Sequence, residues 1–231
     1  MPQTDLTQGH VPLSLARLTA PMMMGVSSSI LVQVLEMGFI GQLSTGHVAA
    51  ITFTFPLTMV LTSIALGISI GTSSVIARSV GQQSQSPNNS DDVQRLGTHS
   101  LILVTVAMSA LALLCWLSLD PLFLALGARA DMLPLIHSYM DIYLPGSIFF
   151  TTSMILSSIM RANGNATAPG VIMTVGSLVH LLLDPILIFG WFGLPAMELS
   201  GAATAMTVTR FATLIVITAF VLKGQMILTT D

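Results

Sequence analysis

Val175–Gly190 reads VGSLVHLLLDPILIFG, an apolar run long enough to cross a bilayer that nevertheless carries a histidine and an aspartate. His180 and Asp184 are an i, i+4 pair, so on a helix they share one face. Ser177, two turns before Asp184, lies on that face too. An ionisable group inside a membrane helix costs at least a few kcal/mol and therefore faces a cavity or a partner. Asp184 is for that reason a functional-site candidate. The competing expectation is a structural aspartate that manages the backbone next to Pro185, which has no N–H to donate.

Composition sets the class. The chain has 231 residues, of which 53% are hydrophobic and 7% charged, against about 25% charged in a soluble domain. That is an integral membrane protein. Its net charge is −3 and its basic residues are scattered singly, which gives nucleic-acid binding no footing. Cys115, the sole cysteine, excludes an intrachain disulfide. Met1–Ala16 shows no basic n-region followed by a short apolar core, so the first span is expected to act as an uncleaved insertion signal.

A spanning helix needs about 20 mainly apolar residues. Six segments qualify, approximately 14–41, 48–77, 98–119, 132–160, 167–190 and 201–222. The chain is thus read as a single all-α, six-helix unit over residues 1–231. Between the spans stand a tight turn at Gly41–His47, a long polar loop at Gly81–Gly97 and a break at Asp120–Asp131. RANGN at Arg161–Asn165 and Gly193–Ser200 complete the set. With the N-terminus inside, Arg17, Arg78, Arg95, Arg161 and Lys223 fall on the inner side and Arg129 alone outside, the asymmetry expected of cytoplasmic loops. Both termini are therefore expected in the cytoplasm, with the protein in the cell (inner or plasma) membrane. The glycosylation-type triplets at Asn88 and Asn165 then face the cytoplasm and read as chance matches.

Other polar residues fall at informative depths. In the first span Gly25, Ser29, Gln33 and Glu36 follow helical spacing and form a small-and-polar stripe. The rise of a helix puts Glu36 roughly 8 Å, and Asp184 roughly 9 Å, below the outer ends of their spans. Arg210 lies roughly 15 Å from its outer end; Asp184 or Glu36 is a candidate partner for it, or it lines the floor of a cavity. In the second span Ser63, Gly67, Gly71 and Ser74 suggest a small-residue packing seam. Tyr139 and Tyr143 suit an interfacial aromatic anchor, and Asp141 beside them a solvated position.

Three chemistries find no support. Gly67–Gly71 (GISIG) matches the G-x-S-x-G nucleophile pattern, but that pattern needs a strand-to-helix elbow and here lies inside an apolar helix. No phosphate-binding glycine loop is present. His180 and Asp184 offer two metal ligands, short of a closely spaced set of four. The chain reads as no enzyme and as holding no cofactor.

Four stretches in order carry a resemblance: EMGFIGQLSTGHVAA at Glu36–Ala50, ALGISIGTSSVIARSVG at Ala65–Gly81, MRANGNATAP at Met160–Pro169, and Gly176–Gly190 followed by Gly201-Ala202-Ala203. Together they resemble the N-terminal half of multidrug and toxic compound extrusion (MATE) transporters. The resemblance implies one six-helix lobe of a two-lobed exporter. It implies proton- or sodium-coupled antiport of organic, often cationic, compounds. Glu36 stands where the family commonly has aspartate, and His180 where it commonly has asparagine. Glu36 and Asp184 are then the expected ion-coupling pair, with His180, Gln33, Ser177 and Arg210 as further ion- or substrate-binding candidates. A sodium ion would use the carboxylates with Ser177 or Gln33. The expected partners are a small organic substrate, membrane lipid, and a second lobe supplied by another copy or another chain. A flippase for lipid-linked sugars and a non-transporting scaffold are the alternatives.

The orientation is directly testable. A cysteine at Ser86 is expected to stay unlabelled when an impermeant thiol reagent is applied to intact cells, and ready labelling would reverse the topology.

Overall fold

The computed structural model describes residues 11–83, 90–162 and 165–224, all in helices and short connections. Seven α-helices follow one another: α1 (Val11–Gly41), α2 (Thr45–Gln83), α3 (Ser90–Leu117), α4 (Leu119–Ala125), α5 (Leu133–Ala162), α6 (Thr167–Phe189) and α7 (Glu198–Lys223). All but the seven-residue α4 are long and apolar enough to cross a membrane, because every backbone polar group must be satisfied within the segment there. The protein is a multi-pass membrane protein.

Two expected breaks are more helical than their composition suggests. α2 continues to Gln83 and α3 begins at Ser90, so both ends of the Gly81–Gly97 loop are helix. Polarity marks where the bilayer ends, and a helix that needs no outside partner for its ladder continues past that point. The centre of the loop, including Ser86 and the Asn88 triplet, lies outside the described residues, as do Asn163, Gly164 and residues 1–10. Asp120–Asp131 contains α4 and a turn in which Gly127 takes φ of 91°, a conformation open to glycine at no steric cost. Asn165 caps a helix: its Oδ1 accepts the Ala168 N–H at 3.1 Å, satisfying one orphan donor at the start of α6.

α5 is the most buried of the spanning helices and packs against α2, α3 and α7, while α1 lies along α6 and α6 along α7. Ser158 on α5, fully buried, donates to the Ser69 carbonyl of α2 at 2.9 Å. On α7, Thr207 donates to the Ile142 carbonyl of α5 at 3.3 Å and rests on Gly146, where a Cβ would collide with the threonine. The seam expected on α2 does not form within this chain. Ser63, Gly67, Gly71 and Ser74 are all exposed, and a Cβ at either glycine would meet nothing within 4 Å. α2 instead buries Leu61, Ala65, Ser69, Thr72 and Ile76, a row with its own helical spacing whose larger side chains fill the core against α5.

The α1–α6 contact positions the site. The two helices run parallel and in register: Gly25 faces Met173, Ser29 faces Ser177 across a 3.1 Å hydroxyl–hydroxyl hydrogen bond at a sequence separation of 148, and Phe39 meets Phe189 edge to face. The approach is closest at Gly170, where a Cβ would stand 2.5 Å from the Pro21 carbonyl oxygen. Backbone there cannot move aside as a flexible side chain would. Gly170→Leu is therefore expected to force α1 off α6, destabilising the bundle by about 1–3 kcal/mol as overpacked cores do. Thermal unfolding of the detergent-solubilised chain checks this; an unchanged transition would show that the two helices are not in van der Waals contact at Gly170.

Candidate functional site

In-register packing brings two of the ionisable side chains on α6 against one on α1. The ligand-type atoms of Glu36, His180 and Asp184 all lie within 4.8 Å of one another. Asp184 is fully buried and Glu36 is 5% exposed, which is extreme for carboxylates. Glu36 Oε1, both Asp184 oxygens and His180 Nε2 have no hydrogen-bond partner among the described residues. His180 Nε2 and Asp184 Oδ1 are 3.2 Å apart, close enough to attract electrostatically but off the geometry of a hydrogen bond. α6 continues unbroken through Pro185, and neither Asp184 oxygen hydrogen-bonds to its backbone, so the backbone-managing alternative has no contact behind it.

Two carboxylates cannot both stay charged, unpaired and dry at this separation without a heavy desolvation and repulsion cost. The arrangement resolves in one of two ways: a proton held within the three-residue cluster, or a cation held between the carboxylates. Glu36, Asp184 and His180 are the residues that can hold such a cation.

Glu36 also belongs to a second feature. With Gln33, Thr54, Phe55, Tyr139, Tyr143 and Arg210 it lines a cavity of about 490 Å³ open at one side of the bundle. Arg210 takes no carboxylate partner among the described residues; its guanidinium lies over the rings of Tyr143 and Phe150, 5.0 and 4.8 Å from their centres. The ring faces carry the negative end of their quadrupoles and stabilise the cation. Of the two roles open to Arg210, cavity lining is the one observed. The tyrosines are not interfacial anchors. Tyr139 and Tyr143 are buried, 4% and 5% exposed, and stack on each other at 5.6 Å. Their polar hydroxyls and spacing of four suit an anchor and a cavity wall equally, which is why depth alone misplaced them.

The remaining candidates separate. Ser177 is engaged by Ser29, and Gln33 is exposed on the cavity side of α1. The stripe on α1 is thus split, with Gly25, Ser29 and Glu36 toward α6 and Gln33 toward the cavity. At the end of the bundle holding the α1–α2 turn, His47 contacts Ser44 at 2.6 Å and Glu198 at 2.9 Å. Asp141 is exposed, as expected, and engaged: it accepts the Trp116 indole N–H at 3.0 Å and lies 3.3 Å from His137, which also meets Asp120 at 2.8 Å.

A six-helix lobe with paired acids on its first and fifth spans, one of them lining a cavity, is matched by the MatE family model over residues 21–186. The chain belongs to the MATE transporter family. It is 34% identical over 191 residues to an FAD transporter of Shewanella oneidensis, covering 83% of this chain and 41% of that one. It is 26% identical to the multidrug export protein MepA of Staphylococcus aureus, covering 89% and 44%. The MATE transporter VcmN of Vibrio cholerae superposes with a TM-score of 0.86 at 30% identity, over 94% of this chain and 48% of that structure. A MOP-superfamily transporter of Pyrococcus furiosus, described as having a binding pocket of reverse polarity, has a TM-score of 0.86 at 26% identity over 100% and 50%. The chain spans about half the length of these MATE relatives, corresponding to one lobe.

The carboxyl cluster has an energetic signature. Asp184→Asn removes one of two closely apposed buried charges and keeps the shape. It is expected to leave the unfolding midpoint at neutral pH unchanged or to raise it, by stabilisation on the order of 1 kcal/mol. A marked drop would mean that Asp184 is a net structural tie.

Proposed function

We propose that this MATE lobe works in ion-coupled export of organic compounds, with Glu36 and Asp184 as the coupling pair. The observation that carries this reading is the shared position of Glu36, whose carboxyl both lines the cavity and stands within 4.8 Å of the α6 pair. An ion taken up between the carboxylates lowers the negative charge at the cavity wall by one; its release restores that charge. Binding the ion and binding a cationic substrate at the same carboxylate then exclude one another, which is the requirement for antiport. Proton and sodium both satisfy the chemistry of two carboxylates. The lobe acts in the cell membrane with both termini cytoplasmic, because α1 begins, α2 ends, α3 begins, α5 ends and α7 ends at the face that carries Arg17, Arg78, Arg95, Arg161 and Lys223. A second six-helix lobe completes the central cavity. Six spans return the chain to its starting side, so a second copy related by a twofold axis along the membrane normal would suffice.

For the substrate, one observation favours a second reading. The carboxyl of Glu36 suits the organic cations that the family resemblance suggests, but the cavity also holds Arg210 between Tyr143 and Phe150. A cation framed by aromatic faces suits a planar anionic compound, and the relative from Shewanella oneidensis is named for a flavin dinucleotide.

The test is ion-gradient-driven efflux from proteoliposomes containing the chain in its functional assembly, with an organic cation and a flavin nucleotide as alternative cargoes. Asp184→Asn and Glu36→Gln are each expected to abolish coupled efflux, and the double variant to be little worse than either, because residues acting as a unit are not additive. His180→Asn is expected to retain transport. Full activity in both carboxyl-to-amide variants, at normal protein levels, would remove the coupling role. Arg210→Met is expected to lower flavin efflux at least about tenfold, the loss of roughly one charge-assisted contact, and to spare the cation.

A further inference from the structure

We propose that Glu36, His180 and Asp184 form a binding site for a divalent transition metal of the zinc or cobalt kind, held between α1 and α6 by two carboxylates and one imidazole. The site is assembled from geometry alone and stands whether or not the same carboxylates couple transport.

Four observations converge. The three side chains bring their donor atoms within 4.8 Å of one another. Those atoms lack hydrogen bonds: Glu36 Oε1, His180 Nε2, Asp184 Oδ1 and Asp184 Oδ2 make none among the described residues. Both carboxylates are more than nine-tenths buried, so each unmet oxygen is a cost that a ligand would remove. The spacing fits as well. His180 Nε2 and Asp184 Oδ1 stand 3.2 Å apart without hydrogen-bond geometry. The edge of a tetrahedron around metal–ligand bonds of 2.0–2.1 Å is about 3.3 Å. Two donors one helical turn apart on the same face make a ready chelate. Glu36 has to close by roughly 1.5 Å to reach that edge length, a shift within reach of a rotation about its side-chain bonds.

Charge and donor type select the ion. Two carboxylates and a neutral imidazole carry two negative charges, which a divalent cation cancels and a monovalent one does not. The imidazole nitrogen favours zinc, cobalt or nickel over sodium, magnesium or calcium, which prefer all-oxygen shells. His180 is the deciding residue, since an amide at this position would supply only an oxygen. Entry is open because Glu36 lines the cavity. A bound metal would tie α1 to α6 through side chains from both.

The experiment titrates the purified chain, in mild detergent and with any affinity tag removed, with cobalt(II) alone. The expected result is one cobalt per chain, seen as visible d–d absorption and abolished by stoichiometric zinc but not by excess sodium or magnesium. His180→Asn, Asp184→Asn and Glu36→Gln are each expected to weaken binding at least as much as the roughly 10–100-fold that loss of a mere outer partner costs. Each variant is checked for an unfolding transition like that of the unaltered chain, and a result from any one that keeps it is decisive. His137→Asn removes the exposed imidazole between Asp120 and Asp141 and is expected to leave the titration unchanged. Absence of the absorption bands, binding unaltered in the folded His180 and Asp184 variants, or loss of binding in His137→Asn would each overturn the site. Efflux measured separately distinguishes the two readings: an unaltered chain that performs coupled efflux but binds no cobalt loses the metal site alone, whereas a chain that binds cobalt and whose efflux survives both Glu36→Gln and Asp184→Asn loses the coupling role alone.

Discussion

The backbone-to-backbone approach of α1 and α6 is the constraint on which the site depends. Glycine at position 170 lets the Pro21 carbonyl come within the radius a methyl group would need. Gly25 does the same for Met173. In lipid no hydrophobic driving force separates helices from their surroundings, so association rests on such close packing. Once the N-terminal halves of the two helices are seated, parallel register delivers the C-terminal halves. Ser29 meets Ser177, and a further two turns on, Glu36 arrives at His180 and Asp184.

That delivery has an electrostatic cost the rest of the lobe is arranged around. Two acids with unmet oxygens are tolerated because the neighbouring contacts leave them nowhere else to go: α6 is held to α7 by Gly201 lying against the Leu187 carbonyl, which also accepts the Met197 N–H at 3.0 Å. On the other side of Glu36, Arg210 is kept in place by Tyr143 and Phe150 rather than by a carboxylate. The acids are thereby left free of a permanent cationic partner. A fixed Arg210–Glu36 ion pair would instead hold the carboxylate neutralised, which the proposed uptake and release of an ion there would not tolerate.

The six spans were legible because their apolar lengths are set by the bilayer, a constraint local to each segment. The His180–Asp184 face was legible for the same reason, being an i, i+4 relation within one helix. The meeting of Glu36 with that face was only suggested by matching depths, since which faces of two helices touch is decided by small residues distributed along both. The exposed row on α2 shows the limit. Ser63, Gly67, Gly71 and Ser74 have the composition of a seam, but composition does not say which side of a helix its neighbours occupy. The tyrosines failed likewise: their depth could be read, their direction could not.

The register of α1 and α6 carries a consequence for how the chain is made. The paired hydroxyls Ser29 and Ser177 are 148 positions apart, so at about 5–20 residues per second of synthesis the first helix waits roughly 7–30 s for its mate. During that interval Glu36 stands in the nascent membrane with neither His180 nor Asp184 yet made. Its placement five residues before Gly41, the last residue of α1, keeps it about one and a half turns from the end of that helix. An acid close to a helix end waits for its partners at lower cost than one at mid-span would.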